Sequence, residues 1–213
     1  RRFADNPAEF TLDDGWEPSS LSRIMVGVDF GGSRSATAFV AVGEEVTRNG
    51  GKSPASHITL RSYSPLNKPP SSGGIRRLVV IASERHACEL DGDSLGARFC
   101  EFCAGLERYG CEVTAYCDNA EPVLIRTLKA AVCDLCPFVS VRPALKAPVN
   151  DRIRFTLRLL ASGRLMLTAR AATVADALRD ARWSDKSESG RDVRLDDGSS
   201  DIDTLDALEY AIE

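Results

Sequence analysis

The sequence contains only two histidines, His57 and His86, and neither accompanies an obvious nucleophile in a strand–turn–helix setting. This scarcity argues against a hydrolase of the Ser-His-Asp or Cys-His type. No GxxxxGK(S/T) phosphate loop is present, which argues against a nucleotide motor of that kind. No apolar run approaches the roughly 20 residues that cross a bilayer, and no basic-then-apolar leader opens the chain. We therefore expect neither secretion nor membrane insertion.

Length and charge narrow the class further. The chain has 213 residues, which is enough for one well-cored domain. Its net charge of −4 argues against a nucleic-acid binder held by bulk charge, but it is compatible with a nuclease whose metal offsets its carboxylates. Seven cysteines, an odd number, make a poor disulfide framework and favour a reducing compartment. Because the chain opens at Arg1 rather than Met, we expect a processed product or a piece of a larger protein.

The order of strand and helix patterns predicts an α/β domain. Residues 1–22 are polar and predict a linker or an arm lying on the domain. Over 23–213, strand patterns come first, and strands alternating with helices follow. The strand patterns lie at 23–30, 36–43, 57–63, 78–82, 113–118 and 138–141, and residues 164–167 could form an edge strand. This order predicts a mixed central sheet with helices on both faces.

Three aspartates carry most of the functional information. Asp29 ends the apolar run Ile24–Val28, and Asp118 ends the run Val113–Cys117. Asp206 lies in the closing segment, which is typical of a helix. A carboxylate directly after a buried strand is costly unless something positive meets it, and a divalent cation is the natural candidate. The pattern predicts a magnesium or manganese site for phosphate chemistry.

Each of these carboxylates also has a purely structural interpretation. Asp29 could bond the amides of its own turn, and Asp118 could cap the helix that follows it. Asp203 lies three residues before Asp206, so on a helix both face the same direction. Asp203 could ligate a metal or simply favour the positive end of the helix dipole.

Two further groups of residues are candidates for binding. Four basic residues form a modest patch that could contact DNA, namely Arg76, Arg77, Lys146 and Arg152. Two CxxC pairs have the spacing of a split zinc site, namely Cys100 with Cys103 and Cys133 with Cys136. The first pair falls inside an amphipathic helix, where cysteine is more typical of core packing. Whether the two pairs bind zinc stays open.

The motifs in order resemble the C-terminal nuclease domain of the large terminase subunit of tailed bacteriophages. The resemblance rests on Gly27-Val28-Asp29-Phe30-Gly31, on Asp118-Asn119-Ala120-Glu121-Pro122, and on Leu205-Asp206-Ala207-Leu208-Glu209-Tyr210-Ala211. It covers residues 23–213 and implies a ribonuclease H-like fold. It also implies a metal-dependent endonuclease that cuts concatemeric viral double-stranded DNA during genome packaging.

The resemblance further implies the site and its partners. The family's acidic residues correspond to Asp29, Asp118 and Asp206, which would hold two Mg²⁺ or Mn²⁺ ions. One ion would activate a water and the other would stabilise the leaving 3′ oxygen. Many relatives have histidine where this chain has Asp203, so the role of Asp203 is open. The implied partners are DNA, an ATPase domain on the full-length chain, the small terminase subunit and the portal, in the cytoplasm of an infected bacterium.

Other functions remain alternatives. The segment Asp29-Phe30-Gly31-Gly32-Ser33 also resembles the first phosphate loop of the actin and sugar-kinase superfamily, which would make the chain a phosphotransferase. The second phosphate loop and the adenosine-binding Gly-Gly element of that superfamily are not found. A resolvase or transposase core would share the ribonuclease H-like fold. A non-catalytic interaction domain would carry the acidic cluster only as surface.

Overall fold

A six-stranded mixed sheet forms the centre of the described structure. The computed structural model describes residues 2–18, 21–32, 35–47, 75–87, 90–183, 194–195 and 200–213. The strands are β1 (Leu21–Asp29), β2 (Thr37–Thr47), β3 (Ile75–His86), β4 (Val113–Cys117), β5 (Val139–Pro143) and β6 (Leu165–Leu167). They are ordered β5-β4-β1-β2-β3-β6. Strands β1, β2 and β3 are antiparallel neighbours, β4 is parallel to β1 and to β5, and β6 is parallel to β3.

Helices cover both faces of this sheet. They are α1 (Arg2–Asp5), α2 (Gly92–Ala104), α3 (Pro122–Leu135), α4 (Val149–Ala161), α5 (Ala172–Asp180) and α6 (Ile202–Ile212). Because side chains alternate along a strand, Ile24, Val26 and Val28 pack with α2 and α3, whereas Met25 packs with α4, α5 and α6. The predicted α/β architecture, with its mixed sheet between two helical layers, is confirmed.

A glycine allows α6 to lie directly on β1. A Cβ atom built on Gly27 would come within 1.6 Å of the Ala207 carbonyl oxygen and 2.9 Å of the Ala211 nitrogen. Any side chain at this position would therefore push α6 away from the sheet. Since Asp29 is two residues beyond Gly27, its side chain faces the same side of the strand as α6.

The N-terminal residues pack on the domain. Phe3 and Phe10 are buried in the core that also contains Leu160 and Val174. Leu12 donates a backbone hydrogen bond to the carbonyl of Leu167 in β6 over 2.7 Å. The strand expected at 57–63 lies outside the described residues. In the described ranges, every helix is too short or too polar to cross a membrane.

Candidate metal centre

Two of the aspartates sit side by side at the carboxyl ends of parallel strands. Val28 of β1 pairs with Cys117 of β4, and the Asp118 amide donates a 2.9 Å hydrogen bond to the Val28 carbonyl. Asp29 and Asp118 are the next residues along each strand. The pairing of two buried strands thus brings together two carboxylates that are far apart in the sequence.

Helix α6 adds two more carboxylates to this edge. Asp203 and Asp206 lie one turn apart on α6, and the lack of a side chain at Gly27 allows α6 to lie directly on β1. The Oδ2 atom of Asp203 accepts a 2.8 Å hydrogen bond from the amide of Ala36, just before β2. Arg85 also approaches Asp203 to 3.8 Å. Asp203 therefore links the start of α6 to the segment between β1 and β2.

The surroundings of Asp29 disfavour its ionised form. Burial, together with the negative charges of Asp206, Asp118 and Asp203, raises the pKa of Asp29 to about 8 against an opposing effect of Lys146. The residue is 9% exposed. Within the described ranges, no hydrogen bond or ion pair reaches its carboxylate. A cation beside Asp29 would stabilise the ionised carboxylate and so offset the free-energy cost of its burial.

Asp118 already has a cationic neighbour. The Lys146 ammonium lies 2.6 Å from Asp118 Oδ1, which also accepts a 2.9 Å hydrogen bond from the Ala120 amide. Lys146 has a φ of 58°, which is unusual for a residue other than glycine. The Glu213 carboxylate holds this conformation, because its two oxygens accept the amides of Lys146 and Ala147 over 2.8 Å each.

Asp206 is paired with two arginines through a single oxygen. Its Oδ1 atom lies 3.2 Å from a terminal nitrogen of Arg152 and 3.1 Å from one of Arg194. The side chain of Arg152 is only 2% exposed. The expectation that Arg152 contacts DNA is therefore not supported, because its guanidinium is buried and occupied. The sequence pattern did not single out Arg194, which lies in a charged, Ser- and Gly-bearing stretch where an arginine is normally solvated.

The remaining predicted DNA contacts lie elsewhere. Arg76 and Arg77 lie on β3 opposite Val46 and Glu45, and Arg77 forms an ion pair with Glu45. They are eight or nine residues before Arg85 on the same strand, which is about 26 Å or more from the end of the sheet that carries the aspartates. Lys146, by contrast, stands at the edge of the aspartate cluster, beside Asp118.

The cysteines form part of the packing between α2 and α3. The thiol of Cys136 donates to the Cys100 carbonyl over 3.5 Å, and burial raises the pKa of Cys103. Cys133, by contrast, is exposed. In the described part of the chain, no three Asp, Glu, His or Cys side chains already converge as a ready metal cage. The structure therefore does not support a zinc site formed by the two CxxC pairs.

Comparison with solved structures identifies the fold. No family model matches the sequence, and no curated protein matches it either. The structure matches the g2p (large terminase) nuclease domain from bacteriophage SPP1 with bound Mn, with a TM-score of 0.57, 20% identity and 95% of each chain covered. The large terminase nuclease from thermophilic phage G20c with bound magnesium matches with a TM-score of 0.51, 16% identity, and 92% and 82% coverage.

A longer protein matches as well. A large terminase from another thermophilic bacteriophage, in complex with ATP-gamma-S, has a TM-score of 0.67 and 16% identity. The match covers 99% of this chain but only 44% of that terminase, so this chain spans less than half the length of the longer protein. Together the matches confirm that the chain has the ribonuclease H-like fold of terminase nuclease domains.

Proposed function

We propose that the chain is a divalent-cation-dependent DNA endonuclease domain that cuts concatemeric viral double-stranded DNA during genome packaging. The observation that carries this proposal is the placement of Asp29, Asp118 and Asp206 at one edge of the sheet, with the pKa of Asp29 raised to about 8 by burial and by its acidic neighbours. The fold shared with nuclease domains that bind manganese and magnesium supports it.

The donor set suits hard divalent cations. Carboxylate oxygens are the ligands that Mg²⁺ and Mn²⁺ prefer. Asp29 brings a buried carboxylate that no described residue pairs. Asp118 and Asp206 each use only Oδ1 in the ion pairs above, which leaves Oδ2 for a cation. We assign two cations to these three residues and give Asp203 the role of holding α6 in place. Since the described side chains do not yet form a cage, cation binding requires them to turn further toward one another.

The residues around the site have distinct tasks in this proposal. When bound, the cations would lower the pKa of a water molecule and stabilise charge on the leaving 3′ oxygen. Asp29 would release its proton as it becomes a ligand, because a cation reverses the effects that raise its pKa. Lys146, whose side chain is 35% exposed beside Asp118, would bind a DNA phosphate at the edge of the site.

The proposal also extends to partners. Because the match spans less than half of the longer terminase, we propose that the chain acts beside an ATPase domain on a longer polypeptide. By the same resemblance, the small terminase subunit and the portal would present DNA to it in the cytoplasm of an infected bacterium.

Plasmid cleavage tests the proposed activity. The purified chain is incubated with supercoiled plasmid in Mn²⁺, Mg²⁺ or EDTA, alongside Asp29→Asn and Asp118→Asn. The matched control is Asp134→Asn, at an exposed position on α3. We expect metal-dependent nicking and linearisation by the wild type and the control, and none by the two site variants. Equal cleavage by Asp29→Asn and the wild type would remove the proposed site.

Two further measurements separate the alternatives. A branched substrate cut in preference to linear duplex would favour a resolvase. Heat released on mixing the chain with ATP, without any DNA cleavage, would favour the phosphotransferase.

A further inference from the structure

We infer that Arg152 and Arg194 are positioning residues, which fix the Asp206 carboxylate by Oδ1 and leave Oδ2 available to a cation. This inference deepens the proposed function and rests on it. Both guanidinium groups reach the same oxygen, over 3.2 Å from Arg152 and 3.1 Å from Arg194. Two charged donors on one oxygen define the orientation of the carboxylate more tightly than a single donor does.

A second carboxylate holds the two arginines in place. Glu209 follows Asp206 by one turn of α6, and its side chain is only 3% exposed. Arg152 approaches Glu209 Oε2 to 3.2 Å, and Arg194 donates a short hydrogen bond to Glu209 Oε1. Each arginine therefore contacts both Asp206 and Glu209. Removing one partner from a buried group of this kind leaves an uncompensated charge, so the members depend on one another.

The arginines are themselves anchored to separate parts of the fold. Arg152 on α4 donates through Nε to the Ala147 carbonyl over 3.1 Å and lies over the Tyr210 ring at 5.1 Å. Arg194 pairs with Trp183 in an isolated antiparallel bridge. Asp206 is thus oriented from two independent directions, by residues that do not lie among the aspartates.

Positioning and simple charge compensation predict opposite results. If the arginines only neutralise the acidic cluster, they compete with the metal, and removing one should tighten cation binding. If they orient Asp206, removing one should weaken cation binding, because partners that orient a metal ligand typically contribute about 10–100-fold in affinity.

Calorimetric titration of Mn²⁺ into the DNA-free chain tests the assignment. We expect Arg194→Met to bind Mn²⁺ at least about 10-fold more weakly than the wild type. Arg194→Lys keeps the charge but cannot bridge both carboxylates, so we expect it to bind more weakly as well. The matched control is Arg179→Met, which removes an exposed ion pair on α5 and should leave the affinity unchanged. Melting curves in EDTA show whether each variant is folded.

Two results would overturn the inference. One is an Arg194→Met affinity equal to or tighter than that of the wild type. The other is full recovery of affinity in Arg194→Lys, which would show that charge alone matters. If Arg194→Met does not fold, Arg194→Gln takes its place with the same criterion, since it removes the guanidinium but keeps a polar side chain at this position. A wild type whose Mn²⁺ binding is absent or independent of Asp29 would instead refute the proposed function, and this inference with it.

Discussion

Replacing Asp29 with asparagine should stabilise the cation-free protein at alkaline pH while it abolishes cleavage. The carboxyl is buried beside three other acidic side chains, and burial and these charges together raise its pKa from 3.8 to about 8. The folded protein therefore holds the proton over a pH range in which the unfolded chain has lost it. Because the native state binds more protons, the free energy of unfolding falls as pH rises from about 4 to about 8, and then levels off. The Asp29→Asn variant has no carboxyl at this position, so its free energy of unfolding does not show this decline.

The size of the effect follows from the shift. A difference of about four pKa units corresponds to about 5 kcal/mol at most, since each unit is worth about 1.36 kcal/mol. For a domain of this length, that is a rise in melting temperature of up to about 10–20 °C at pH 9, at about 2–4 °C per kcal/mol. Near pH 4, which is close to the pKa of 3.8 of this carboxyl in the unfolded chain, most of the difference has disappeared, and the two proteins should melt almost together.

Differential scanning fluorimetry in EDTA at about pH 4 and about pH 9, close to the two ends of the titration range, measures this difference. Asp134→Asn, at an exposed position on α3, serves as the control and should follow the wild type at both pH values. Adding Mn²⁺ at the alkaline pH should raise the melting temperature of the wild type and the control but not that of Asp29→Asn. If the melting temperature of Asp29→Asn in EDTA at the alkaline pH is equal to or lower than that of the wild type, the buried Asp29 carboxyl does not destabilise the cation-free protein as predicted.

Three other predictions test how the site is built. Gly27→Ala should lower the free energy of unfolding by about 1–3 kcal/mol in denaturant melts and reduce plasmid cleavage, because a Cβ there meets the α6 backbone at 1.6 Å; Gly15→Ala, which has open space, should do neither. Lys146→Met should weaken DNA binding in fluorescence anisotropy, whereas Arg77→Met should not; equal losses would contradict a DNA contact at Lys146, beside Asp118, in preference to Arg77, on its ion pair with Glu45. Phe10→Ala should lower the free energy of unfolding by about 3–5 kcal/mol in the same melts, because Phe10 is only 2% exposed. A negligible loss would instead favour the interpretation of residues 1–22 as a linker.

The sheet and the aspartates could be predicted because they follow from local patterns. Apolar runs that end in Asp29 and Asp118 mark strands whose carboxyl ends carry charge, and strand ends of adjacent parallel strands meet. The closing segment was predicted to be a helix, and the Asp201 side chain accepts the Thr204 amide at the start of α6. In each case the signal lies within a few residues of the feature that it predicts.

The basic residues could not be placed in this way. A buried Arg152 and an exposed arginine look the same in a sequence, because what separates them is a set of carboxylates on α6, with Asp206 54 residues away. Arg194 carries no local signal at all, and its partners become visible only once α6 lies on β1. Conversely, Arg77 resembled a DNA contact by proximity to Arg76, yet the length of β3 carries both away from the site.

The location of bound Mn²⁺ in a crystal tests whether Asp29, Asp118 and Asp206 form the cation site. A crystal of the chain grown with Mn²⁺ gives anomalous difference density at each bound ion. We predict peaks between Asp29, Asp118 and Asp206, with one oxygen of Asp206 as ligand and the other on the arginines. Loss of those peaks in crystals of Asp29→Asn would complete the result. Peaks elsewhere in the molecule, with none among these aspartates, would contradict it.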